Sequence, residues 1–169
     1  MTASQTLALI GALALLGACS QQHADSGAAV ASERTSSELP IDATLPPVLA
    51  YRSPTCGCCE LWVEHMRAAG FRVDVQTTDH MGAVKTEAGI PVGKESCHTA
   101  RVGDYYIEGH VPASDVKRLL AEKPDARGLT VPGMVPGSPG MEQGGVRHAY
   151  DVLLVAKDGA TSVFSRHAE

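Results

Sequence analysis

Three of the chain's five cysteines, Cys56, Cys58 and Cys59, fall within four residues of one another, in Tyr51-Arg-Ser-Pro-Thr-Cys-Gly-Cys-Cys-Glu60. No other stretch restricts the fold as strongly, because its two flanks ask for different secondary structure. Before it, Val48-Leu-Ala-Tyr51 is a short apolar run of strand length. After it, Leu61, Trp62, His65, Met66 and Ala69 fall on one helical stripe that Gly70 is placed to close. The cysteines are therefore expected on a strand-to-helix turn, at the positive end of a helix dipole. That position eases formation of the thiolate, which is both the nucleophile and the metal ligand. Cys56 and Cys59 have the C-x-x-C spacing of a dithiol that can close into a disulfide. Cys56 and Cys58 have the C-x-C spacing of a pair gripping one soft metal. A disulfide staple alone would leave Cys58 over, and adjacent Cys58 and Cys59 cannot pair comfortably with each other.

The rest of the chain extends this unit. Residues 71–75, Phe-Arg-Val-Asp-Val, alternate as a half-buried strand should. Thr77-Thr-Asp79 offers helix N-caps, and Met81, Val84 and Ala88 are spaced for a short helix ended by Gly89 and Pro91. Residues 99–102 and 105–107 read as a hairpin across Gly103-Asp104. Pro112-Ala-Ser-Asp115 opens a helix with Val116, Leu119 and Leu120 on its buried face, stopped before Pro124. The order over residues 47–123 is β-α-β-α-β-β-α, and the crossover rule makes the first two strands parallel neighbours. This predicts an α/β fold with a thioredoxin-like core, in which a C-x-x-C begins the first helix.

Ten of the 26 residues from 124 to 149 are Pro or Gly, so this stretch is expected to form neither a helix nor a central strand. Its repeated Pro-Gly-Met, with Met134 and Met141, favours a lid carrying thioether sulfurs over a plain linker. Residues 151–156 and 161–164, joined through Lys157-Asp158-Gly159, predict a terminal β-hairpin. Residues 124–169 thus form a Pro/Gly/Met-rich C-terminal extension.

The first 18 residues carry no charged side chain, and the apolar run 7–18 is too short to span a bilayer, which takes about 20 apolar residues. It reads as a signal peptide, although no Lys or Arg precedes the run. It ends in Leu16-Gly17-Ala18-Cys19, which resembles a lipoprotein lipobox with Cys19 as the lipidated residue. Ser20 stands where an aspartate would signal inner-membrane retention. The expected location is the periplasm, with a lipid anchor in the outer membrane; an ordinary cleaved signal is the alternative. Residues 19–46 are rich in Ser, Ala, Gln and Glu and read as a tether. The 151 residues from Cys19 onward suffice for one domain, expected as a monomer. A net charge of −5 with dispersed signs, and only 4% aromatic residues, argue against nucleic acid as a partner.

The fourth cysteine outside the leader, Cys97, lies in Ser96-Cys-His-Thr99. In a thioredoxin-like layout the loop entering the third strand packs against the C-x-x-C turn, so Cys97 is expected to face Cys56, Cys58 and Cys59. Successive strand residues point to opposite faces, so His98 joins Cys97 on one metal only if that loop is irregular. His110, in Glu108-Gly-His-Val-Pro112, ends the following strand at the same rim. His65 lies more than a turn from Cys59 and is expected to pack or meet solvent; His80, His148 and His167 are expected at the surface. Thiolates, imidazoles and thioethers form a soft ligand set that selects Cu(I), with zinc the competitor. Four cysteines exceed one tetrahedral copper that also takes His and Met, so a multinuclear Cu(I)–thiolate cluster is expected. A structural four-thiolate zinc site is the alternative, and its usual mark is a second C-x(2–4)-C knuckle, where this chain has a lone Cys97.

At Cys56-Gly-Cys-Cys59, Ser96-Cys-His-Thr99, Glu108-Gly-His-Val-Pro112 and the Pro132-Gly-Met to Gly140-Met141 segment, the chain resembles the bacterial CopG-type copper-resistance proteins of the Gram-negative envelope. The resemblance implies a thioredoxin-like domain whose C-terminal extension completes a copper site, and a copper-handling role with redox cycling. It carries Cys56, Cys58, Cys59 and Cys97 over as thiolate ligands, with His98, His110, Met134 and Met141 as further ligands, and other copper-resistance proteins of the envelope as partners. The reading from a different class is a periplasmic thiol-disulfide oxidoreductase with Cys56 and Cys59 as its catalytic pair.

Overall fold

The computed structural model describes residues 40–168. The signal segment 1–18, Cys19 and the tether up to residue 39 lie outside the described residues. Seven strands and three helices follow one another as β1 (Val48–Arg52), α1 (Gly57–Ala68), β2 (Val73–Thr77), α2 (Met81–Ala88), β3 (His98–Val102), β4 (Tyr105–Glu108), α3 (Ala113–Glu122), β5 (Ala126–Thr130), β6 (Tyr150–Ala156) and β7 (Thr161–His167). They form one mixed α/β layer system on a single sheet of order β2-β1-β3-β4-β5-β6-β7. β1 runs parallel to β2 and β4 parallel to β5, while the other neighbours are antiparallel.

Alternation along the strands sorts the two faces. Val48 and Ala50, Ala100 and Val102, Ile107 and Leu129 share one core with Trp62, Val63 and Met66 of α1 and Val116 and Leu119 of α3. Thr99 and Glu108, paired across the β3–β4 hairpin, point the other way and meet Lys85 from α2. Residues 40–46 lead into β1, tied by the Asp42 N–H to the Gly70 carbonyl (2.9 Å) and by Leu45 packed against the core.

Two strands differ from the expectation. The second begins at Val73, not Phe71, because Phe71 closes the preceding helix. Gly70 takes φ +94°, its N–H reaches the Arg67 carbonyl at 2.9 Å, and the Phe71 N–H reaches the Met66 carbonyl at 3.1 Å. The Phe71 ring is then buried beside that helix end. The larger correction is β5, a central strand inside the Pro/Gly-rich stretch that was expected to hold none. The breakers of that stretch gather after Val131, leaving Ala126-Arg-Gly-Leu-Thr130 free to pair. Its single glycine is what permits the pairing: a Cβ on Gly128 would stand 1.7 Å from the Tyr106 carbonyl oxygen. At α2 the N-cap is His80, and Thr78 contributes by accepting the His80 N–H at 3.0 Å. The terminal hairpin forms as β6 and β7.

Candidate metal centre

Cys56 is the N-cap of α1, with extended backbone, and Cys58 and Cys59 lie in the first turn. Arg52, at the end of β1 and only 16% exposed at its side chain, holds the turn from below. Its guanidinium donates to the Ser53 carbonyl (3.2 Å), the Cys56 carbonyl (3.4 Å) and the Glu60 carboxylate (2.7 Å). The C-x-x-C pair is closed: Cys56 and Cys59 form a disulfide with Cα atoms 5.4 Å apart, leaving Cys58 and Cys97 as free thiols among the described residues.

Cys97 is the hub on the other side. Its Sγ lies 3.5 Å from Cys59 Sγ and 3.8 Å from Cys58 Sγ, while Cys58 Sγ lies 3.5 Å from Cys56 Sγ. The two imidazoles approach the same sulfur, His98 Nδ1 at 3.3 Å and His110 Nε2 at 3.1 Å. Two groups of ligand atoms, each within 4.8 Å of one another, thus share Cys97: the four sulfurs, and Cys97 with both histidines. These residues can hold a metal ion. Cys97 immediately precedes β3, so strand alternation does not separate it from His98. The irregular loop required for both to reach one point is present.

The histidines are prepared differently. His110 Nδ1 faces the Pro139 carbonyl at 2.8 Å, and a carbonyl can only accept, so Nδ1 carries the proton and Nε2 presents its lone pair to Cys97. Metal-binding histidines are oriented by such a bond to the second ring nitrogen. His98 is fully buried, tilted against Trp62 (centroids 4.5 Å apart) and edge-on to His110 (4.9 Å), and its Nε2 has no hydrogen-bond partner among the described residues. Burial lowers the pKa of both imidazoles; at His98 the neighbouring His110 and Lys85 push the same way. Both are therefore neutral, as ligation requires. The Cys97 thiol is pushed up to about 12, first by burial and then by Cys58. Metal arriving there displaces a proton instead of finding a thiolate waiting.

The Pro/Gly/Met segment covers the first turn of α1. Gly140 has φ +84°, and a Cβ on it would lie 2.8 Å from the Trp62 nitrogen and 2.9 Å from the Cys58 carbonyl oxygen. Only glycine lets the lid lie this close. A cavity of about 420 Å³ remains between lid and helix, lined by Gly57, Cys58, Pro136, Gly140 and Met141. Met141 therefore shares that cavity with Cys58, whereas Met134 is 57% exposed and does not line it.

The remaining histidines among the described residues are structural or exposed. His65 Nε2 accepts the Ala113 N–H at 3.0 Å, joining α1 to the first residue of α3. His80 and His148 are exposed. His167, expected at the surface without a partner, instead meets the buried Asp115 carboxylate at 2.7 Å and stacks on Tyr150. That partner lies 52 residues away in sequence, which local reading cannot join. Arg52, Lys85 and Glu108 were missed as supports of the site, because strand alternation puts Glu108 on the face opposite Ile107, where a charged residue carries no signal.

A family model described as a protein of unknown function, DUF411, matches residues 94–141, the span from the Cys97 loop to Met141. No curated protein matches the chain. Two solved structures are similar, "Copper resistance protein copG- Form 2" and the same protein in Form 1, each at 40% identity and a TM-score of 0.69. The match covers 72% of this chain and 98% of that one for Form 2, and 73% and 99% for Form 1. With that identity over almost the whole of both structures, and with the cysteine cluster in place, the chain belongs to the CopG-type copper-resistance family.

Proposed function

We propose that the protein confers copper resistance by holding several Cu(I) ions in a thiolate cluster built on Cys56, Cys58, Cys59 and Cys97, with His98 and His110 at its inner edge. The observation that carries this reading is the convergence on Cys97, whose sulfur stands within 3.8 Å of two sulfurs from α1 and 3.3 Å of two neutral imidazoles. Soft sulfur donors with imidazole suit Cu(I), and the thiolates can bridge ions because there are more sulfurs than one tetrahedral ion needs. Met141 serves as the thioether at the open side, and Met134 joins only through a movement of the lid. The order β1-α1-β2-α2-β3-β4-α3 with sheet order β2-β1-β3-β4 supports a thioredoxin-like core beneath the site.

The Cys56–Cys59 disulfide favours a redox component. Closing that bond from the two thiols releases two electrons and two protons, and two Cu(II) ions becoming Cu(I) take up the two electrons. Copper binding and thiol oxidation are then two states of one site. A plain thiol-disulfide oxidoreductase would use the same pair but has no need of Cys58 or Cys97 beside it, and a zinc staple has no use for the disulfide. We further place the protein on the periplasmic face of the outer membrane through Cys19, from its leader sequence; no helix among the described residues is long and apolar enough to cross a membrane.

X-ray absorption on the reduced, copper-loaded protein tests the cluster. Sulfur-dominated coordination with a short copper–copper distance is expected. Isolated copper without a metal neighbour, or preferential retention of zinc, would contradict it.

A further inference from the structure

The Glu108-Gly-His-Val-Pro112 motif contains a residue that copper binding does not use. Glu108 ends β4, is wholly buried, and lies directly across from Thr99. One carboxylate oxygen accepts the Ser96 backbone N–H at 2.6 Å and the Lys85 ammonium at 2.5 Å, and the other accepts the Thr99 hydroxyl at 2.6 Å. Lys85 also donates to the Thr99 hydroxyl at 3.1 Å. Ser96 and Thr99 are the residues on either side of Cys97 and His98, so one side chain grips the chain before and after both ligands.

The surroundings make this grip specific. Gly109 has φ +71°, and a Cβ there would stand 2.5 Å from the Ser96 side chain and 2.7 Å from the Val131 carbonyl oxygen. Glycine lets the Ser96–Cys97 loop lie flat against the end of β4, within reach of the carboxylate. On the outer side the Ser96 hydroxyl donates to the Gly133 carbonyl of the lid. The loop is thus pinned between Glu108 and the lid, and Cys97 has little freedom to choose its distance from the α1 sulfurs.

We propose that Glu108 is the positioning residue for Cys97, the carboxylate that sets the fourth sulfur against the first turn of α1. A buried carboxylate with three donors is costly to assemble, and an ion pair alone is weak grounds for retaining it. Its use here is geometric. Replacing it with an amide turns a donor toward Lys85, Ser96 or Thr99 and frees the loop without emptying any volume. Groups that orient metal ligands typically cost about 10- to 100-fold in metal affinity when altered.

This inference rests on the copper reading, so its test has one arm with metal and one without. In the first, Cu(I) affinity of the reduced protein is measured by competition with a chromophoric chelator for wild type, Glu108→Gln, Cys97→Ser and the double variant. Glu108→Gln is expected to lose about 10- to 100-fold, and to add far less in the Cys97→Ser background, because it acts chiefly through that sulfur and only the His98 side of its grip remains. Equal loss in both backgrounds would mean general weakening of the fold and would overturn the proposal. In the second arm, the metal-free oxidised protein is alkylated and the Cys97 and Cys58 peptides are compared by mass. Cys97 is expected to react severalfold faster in Glu108→Gln, with Cys58 unchanged; unchanged Cys97 reactivity overturns the proposal whatever the metal does. Faster Cys97 alkylation in a protein that binds no copper would retain the positioning role and defeat only the copper reading. Thr99→Val, which removes one of the three donors, is expected to shift both readouts in the same direction by less, and it keeps the test available if Glu108→Gln does not fold.

Discussion

His65 shows how a residue near the site serves the frame and not the metal. Its Nε2 must be unprotonated to accept the Ala113 N–H, and burial lowers its pKa from 6.5. A depressed folded pKa means that the unfolded chain binds the proton more readily, so stability is intact above about pH 6.5 and falls as pH drops toward the folded value. His98 and His110 carry shifts of the same sign. Denaturation of the metal-free protein at about pH 7.5 and about pH 5.5 is expected to show a loss at the lower pH, and a smaller loss in His65→Gln. Equal losses in the two proteins would remove His65 from the account. At this scale much was legible in the sequence. The four cysteines, His98 and His110 stand in short motifs whose chemistry is local, and the structure brings them to one place. Glu108 and Arg52 were not legible, because their roles consist of hydrogen bonds to backbone groups that only the folded chain brings near.

Among the elements, the α1 turn and the β3 loop divide the sulfurs between them, and the disulfide leaves two of the four as free thiols. The oxidised protein, with only Cys58 and Cys97 free at the site, is expected to take up fewer Cu(I) ions than the reduced protein. Identical capacity before and after reduction, by metal analysis of desalted samples, would contradict that. The β6–β7 hairpin is held to α3 by His167 on Asp115, a partly buried hydrogen bond to a charged group. His167→Ala is expected to cost about 1–3 kcal/mol, with faster amide exchange confined to β7. Unaltered exchange there would show that the pair is incidental. The helices were readable because their stripes and their closing Gly70, Gly89 or Pro124 are local signals. β5 was not, because Pro and Gly counted over a long window hid a five-residue strand whose glycine is required by the approach of β4.

For the whole molecule, one sheet carries two cysteine-bearing segments on adjacent strands and a lid that returns over them. β1 leads into the C-x-C-C turn, and its neighbour β3 begins at Cys97, with Arg52 registered against His98. That pairing turns two sequence-distant cysteine motifs into one site, and the family relationship extends over the same frame. The account stands on sulfur from both segments sharing copper. The most direct test is an anaerobic Cu(I) titration of the fully reduced protein beside its Cys58→Ser and Cys97→Ser variants. The account predicts more than one tightly held Cu(I) per chain in the wild type and a lower number in each variant; a single ion or none, or an unchanged count when Cys97 is replaced, would contradict it.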